Sequence, residues 1–223
     1  MKVLVTGSSR GLGREIIKEF AKHGVDVVIN YNHSQKDAHH LADTIKNVNV
    51  EVIKCDISSE DEVKDMFDRI GHIDYLINNA AISDDCDIKD KNSISFNRII
   101  HTNLTGTFLV TKYAIEKMDK GSIVNISSRN AIDTYYPESI DYDASKAGII
   151  SLTHNFSKYL PDFRVNCVCP DWIDTDIMNK MDEDYKSKIN FIKKEDLASL
   201  IYKIAINESI KDQFIKVGDN HVR

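Results

Sequence analysis

Tyr142 and Lys146 stand four residues apart in the run Tyr142-Asp143-Ala144-Ser145-Lys146, which opens an apolar helical pattern. On a helix, positions i and i+4 share a face, so phenol and ammonium become neighbours. A cation beside a phenol favours the phenolate and draws its pKa from about 10 toward neutrality. Tyr142 is then usable as a general acid or base. The bare spacing is common on protein surfaces; its company gives it weight. Ser127 and Ser128 follow the apolar run Ser122 to Ile126, and a glycine-rich stretch lies near the start of the chain.

That stretch is Thr6-Gly7-Ser8-Ser9-Arg10-Gly11-Leu12-Gly13, between the apolar run Val3 to Val5 and a helical pattern that begins with Arg14 and Glu15. Glycines let the backbone turn tightly and approach a pyrophosphate, while the following helix turns its first N–H groups toward the anion. Strand before and helix after is the context that a dinucleotide site requires. Gly7, Ser9, Arg10, Gly11, Leu12 and Gly13 are the candidate contacts. About 20 residues further on, NAD sites carry an acidic side chain for the ribose 2′-hydroxyl. Here the second strand ends Val28-Ile29-Asn30-Tyr31-Asn32-His33, with no carboxylate. A 2′-phosphate would meet no repulsion beside Asn30, and Arg10 is placed to pair with it. NADP(H) is therefore favoured and NAD(H) is the alternative.

The elements that must position these residues alternate along the chain. Short β-branched runs occur at Val3 to Val5, Val25 to Ile29, Val50 to Lys54, Tyr75 to Ile77, Ser122 to Ile126, Val165 to Val168 and Phe214 to Val217. Between them lie amphipathic segments at Gly13 to Lys22, Gln35 to Asn47 and Glu60 to Ile70, the last with Ser58 or Ser59 as cap, and at Ile94 to Met118, long or broken. The alternation predicts an α/β fold, a doubly wound Rossmann-type parallel sheet of about seven strands with helices on both faces. Residues 1–223 read as a single domain.

Glycine loop, strand-end serine and Tyr-x-x-x-Lys pair, in that order, make the chain resemble the short-chain dehydrogenase/reductase family from residue 1 to about 180, with a pattern similar to the β-ketoacyl-acyl-carrier-protein reductases. The resemblance implies hydride transfer between a nicotinamide and a carbonyl carbon, with Tyr142 giving the proton and Ser128, rather than Ser127, binding the oxygen. It implies that Lys146 binds the cofactor ribose and passes protons through a water held by Asn103 in His101-Thr102-Asn103-Leu104. Asp56 with Ile57 matches the adenine contact, Asn79 with Ala80 the Asn-Asn-Ala-Gly segment of the cleft, and Pro170, Ile173 and Thr175 the nicotinamide segment. Oligomers of the family pair through helices matching Ile94 to Met118 and Tyr142 to Tyr159, which implies a homodimer or homotetramer.

Two positions depart from that pattern: Ala81 and Asp171 stand where glycine is usual, the latter tolerable at positive φ, though less so than glycine. Met178 to Lys194, where the family covers its substrate, is polar and charged, and Lys120 and Arg129 are the basic residues near the mouth. Recognition of an acyl carrier protein, which is acidic, is therefore disfavoured. The expected function is reduction of a small carbonyl, whether ketone, 3-ketoacyl thioester or keto-sugar. Alternatives are an NAD-dependent alcohol or sugar dehydrogenase, or a cofactor-binding regulatory protein without turnover.

A net charge of −6 gives no overall positive field for nucleic acid or anionic lipid. No apolar run approaches the ~20 residues of a membrane helix, and Met1 to Gly7 reads as a strand rather than a leader. A cytoplasmic enzyme is the expectation. The four cysteines, with only Cys167 and Cys169 close, read as reduced thiols without a metal site.

Overall fold

A computed structural model describes residues 1–174 and 189–218 of the chain. Seven parallel strands form one sheet: β1 (Lys2–Val5), β2 (Asp26–Tyr31), β3 (Val50–Lys54), β4 (Tyr75–Asn78), β5 (Ser122–Ile126), β6 (Arg164–Pro170) and β7 (Phe214–Val217), in the order β3-β2-β1-β4-β5-β6-β7. The helices are α1 (Gly11–Lys22), α2 (Gln35–Thr44), α3 (Glu60–Ile70), α4 (Ser93–Ile100), α5 (Gly106–Ala114), α6 (Ile140–Tyr159) and α7 (Lys194–Ile206).

Strand periodicity of two sends successive side chains to opposite faces. Val3, Val5, Tyr75, Ile77, Val124 and Ile126 join Ile16, Phe20, Leu41 and Ile201 in one core; Leu4, Leu76 and Ile123 join Val63, Phe67, Leu109 and Val110 in the other. Both faces being covered, the central strands are rich in buried Val, Leu and Ile, as buried parallel sheets require. Ser59 caps α3, its side chain accepting from Glu62 N. The expected long segment from Ile94 is broken: a π-helical turn, His101–Thr105, separates α4 from α5.

The chain builds outward from β1 to β2 and β3, then returns to the other side of β1 with β4. That reversal leaves a crevice beyond the carboxyl ends of β1 and β4, where doubly wound sheets bind ligands.

Candidate active site

At the carboxyl end of β1, Gly7 and Gly11 take φ of +60° and +56°. A Cβ on Gly7 would lie 2.9 Å from Cα of Ala80, and one on Gly13 would lie 2.6 Å from Asn79 Nδ2 and from Gly7 O. Glycine is thus favoured by backbone sign at Gly7 and Gly11 and required by space at Gly7 and Gly13. Thr6 Oγ1 accepts from Asn79 N at 3.0 Å and Ala80 N at 3.1 Å, and Asn79 Nδ2 donates to Thr6 O and Gly7 O. The loop is therefore seated on the end of β4. Its exposed corner is Arg10, which stands at the N-cap of α1. The first turn of α1 contains no acidic residue, so the positive end of its dipole faces the loop unopposed.

The side chains of three expected contacts are packed into the scaffold. Asn30 is 1% exposed: its Oδ1 accepts from Gly7 N at 3.0 Å and its Nδ2 donates to Cys55 O at 3.1 Å. With both side-chain ends occupied, Asn30 shapes the loop. Leu12 and Ile57 are buried in the two cores, and Ile57 lies where a Cβ on Gly106 would fall. Asp56 remains partly open. Burial works to raise its pKa, but hydrogen bonds from Ser58 and Asn32 outweigh that and hold the carboxyl below its ordinary range.

On α6, Lys146 is 2% exposed; its Nζ donates to Ile126 O at 2.8 Å and lies 5.4 Å from the centroid of the Tyr142 ring. Burial lowers its pKa to about 8. The Tyr142 phenol, expected to be drawn toward neutrality, is instead held above its ordinary value by burial and by the Asp143 carboxylate, opposed by a hydrogen bond with Ser128, with Asp85 raising it further. Burial penalises the charged form of each partner, and the ammonium meets the ring rather than the hydroxyl. The two serines differ: Ser127 Oγ donates to Lys146 O, while Ser128 Oγ, on the turn after β5, accepts from Asn130 N at 3.2 Å and works to lower the phenol pKa.

Asn103 sits in the π-helical turn with its amide fully engaged. Its Oδ1 accepts from Ile82 N at 2.8 Å, and its Nδ2 donates to Ile82 O and to Ser145 Oγ. Ser145 Oγ in turn donates to Tyr142 O at 2.7 Å. The Asn103 side chain thus ties the segment after β4 to the first turns of α6. Thr6 and Ser145 carry as much of this assembly as the residues picked from sequence. Their only signal was adjacency, to Gly7 and to Lys146.

Pro170 is buried at the end of β6, and Ile173 pairs with Ile192 as an isolated bridge. Thr175 lies outside the described residues, as does most of the polar segment from Met178. Asp171 does not take a positive φ. Its Oδ2 lies 3.9 Å from Nη1 of Arg129, and a Cβ on Gly218, whose φ is +94°, would lie 2.7 Å from the Asp171 Cβ. Arg129, expected near the mouth, is buried, with Nε donating to Asp133 at 2.8 Å and Nη1 to Gly218 O. Lys120 precedes β5, on the sheet edge opposite the site. Among the described residues no cluster of His, Cys, Asp or Glu could hold a metal ion, and no helix is long and apolar enough to cross a membrane.

Known proteins with this order of parts are numerous, and the short chain dehydrogenase family matches residues 1–186. The chain belongs to that family. This short-chain dehydrogenase is 33% identical to a 3-oxoacyl-[acyl-carrier-protein] reductase of Staphylococcus epidermidis, over 83% of this chain and 80% of that one. It is 35% identical to the corresponding protein of Aquifex aeolicus, over 83% and 79%. Among solved structures, a short chain dehydrogenase from Burkholderia cenocepacia in complex with NADP superposes with a TM-score of 0.91 at 27% identity, over 96% of this chain and 95% of that one. A dehydrogenase/reductase from Sinorhizobium meliloti gives 0.90 at 25% identity, over 97% and 92%. Family membership makes the short-chain dehydrogenase described here an NAD(P)-dependent oxidoreductase.

Proposed function

We propose that the chain is an NADPH-dependent reductase of a small carbonyl compound, with Tyr142 as general acid. The observation that carries this reading is the buried Lys146 with its Nζ 5.4 Å from the centroid of the Tyr142 ring, on the helix that follows the Ser128 turn and at the same carboxyl end of the sheet as the glycine loop. The dinucleotide fits the residues present: the Gly7 and Gly13 cradle has no room for a Cβ, Arg10 is exposed at the head of α1, and β2 ends without a carboxylate. When bound, NADPH supplies a hydride to the carbonyl carbon.

The chain's own residues do the rest. Ser128 Oγ and the phenol both donate to the substrate carbonyl oxygen, which accepts from the two. A phenol held above its ordinary pKa stays protonated at neutral pH and gives its proton as negative charge develops on that oxygen. Lys146, with a pKa drawn down to about 8, can hold or release a proton near pH 8 and re-protonate the phenolate. Ketones, 3-ketoacyl thioesters and keto-sugars all satisfy this geometry. An acyl carrier protein fits less well, because Asp85, Asp87 and Glu138 are exposed near the site while Arg129 is buried.

A homodimer or homotetramer through α5 and α6 completes the reading. An apolar groove lined by Leu104, Phe108 and Leu152 runs between them, and Phe108 is partly exposed; sedimentation of the purified chain gives the copy number. The test of function is NADPH and NADH binding by fluorescence, followed by NADPH oxidation on a panel of ketones, acetoacetyl thioesters and keto-sugars. Tighter NADPH binding with turnover of one class supports the reading; turnover with NAD and an alcohol alone overturns it.

A further inference from the structure

Between β4 and α4 the chain runs from Asn79 to Asn92 without strand or helix, yet it is fastened along its length. Ile82 is clamped at both backbone atoms by Asn103. Asp85 accepts from Ser139 Oγ, and Cys86 N donates to Glu138 O at 3.2 Å. At the far end, Lys91 Nζ turns inward to Asp84 O, against the Cys86 thiol and 3.0 Å from Asp141 Oδ2. That ion pair is nearly inaccessible, with side-chain exposures of 4% and 0%. The other oxygen of Asp141 accepts from Tyr142 N at 2.9 Å, so one buried carboxylate joins this segment to the residue that carries the phenol.

A buried ion pair is poor evidence for stability, because the cost of desolvating two charges offsets much of their attraction, and apolar residues of the same volume often serve as well. What a charge pair adds is a single allowed register, since any other docking leaves a buried charge unpaired. Here the register concerns the segment whose Asp85 carboxylate already acts on the phenol.

We propose that the Lys91–Asp141 pair is a latch that holds residues 82–91 as a preformed wall of the substrate site, which makes Lys91 and Asp141 positioning residues for carbonyl recognition. This rests on Tyr142 being the proton donor. The latch acts on the substrate side alone, since the glycine loop is fastened separately through Thr6, Asn30 and Asn79.

The experiment compares the full-length parent with Lys91→Met and with Lys91→Met/Asp141→Asn. Amide hydrogen exchange should rise at least about tenfold over residues 83–91 in Lys91→Met and stay unchanged over residues 6–13. On a carbonyl turned over by the parent, KM should rise about tenfold, with kcat within threefold and NADPH affinity within twofold of the parent. The double variant removes the stranded carboxylate, so its melting temperature should return toward the parent while its KM stays raised. Exchange over 83–91 equal to the parent, or a KM that recovers together with the melting temperature, overturns the latch. If the parent turns over no carbonyl, the reading of Tyr142 falls, and exchange alone decides the latch.

Discussion

The phenol at Tyr142 and the ammonium at Lys146 are each held away from their ordinary pKa by the same cause, burial, and in opposite directions. Two outcomes belong to this scale. Tyr142→Phe removes the hydroxyl proposed to give the proton and leaves the loop and Lys146 in place; NADPH binding should stay within about twofold while turnover falls by about 10²–10⁴, the usual worth of positioned proton transfer. For Lys146, whose pKa falls from 10.5 to about 8, the folded chain has lost a proton between those values that the unfolded chain keeps. Its contribution to stability therefore rises with pH across that window. Lys146→Met should be the more stable protein at pH 7, with its advantage shrinking from about pH 8 to pH 10.5 in thermal melts. A gap independent of pH would mean that Lys146 is not strained by burial.

Elements decide which of the residues read from sequence touch a ligand. The glycine loop, the Ser128 turn and α6 were legible because glycine spacing and the i, i+4 rule are local. Asn30 was placed at the end of β2 by the same kind of reading, but that its amide turns to Gly7 and Cys55 depends on β1 and β3, remote in sequence. Arg129 looked like a surface cation until the β6–β7 edge closed over it. Burying a charge requires partners, and beside Asp133 in the same turn, Asp171 and Gly218 come from two other segments. Breaking such a cluster strands the remaining charge, so Arg129→Met should cost about 3–5 kcal/mol in urea unfolding. Lys120→Met, at the opposite edge of the sheet, should change stability by less than about 0.5 kcal/mol. At the loop, Gly13→Ala drives a Cβ to 2.6 Å from Gly7 O and Asn79. The loop must shift, and NADPH affinity should fall at least about tenfold in the fluorescence titration, with Tyr142 chemistry otherwise intact.

For the whole molecule, the alternation of apolar runs and amphipathic segments foretold seven strands with helices on both faces. It could not give the strand order, and the order is what places the reversal between β1 and β4, and with it the cleft. In the proposed function, the negative net charge and the carboxylates exposed near the site weigh against a large acidic partner. Everything in the functional reading passes through one event, the transfer of a hydride and a proton to a single carbonyl at this edge. The measurement that meets it most directly is NADPH consumption by the parent and by Tyr142→Phe, side by side, on the best carbonyl of the panel, with bound NADPH quantified in both. Equal binding, with consumption by the parent and almost none by the variant, is the predicted result. Consumption by the variant at the parent's rate would contradict it.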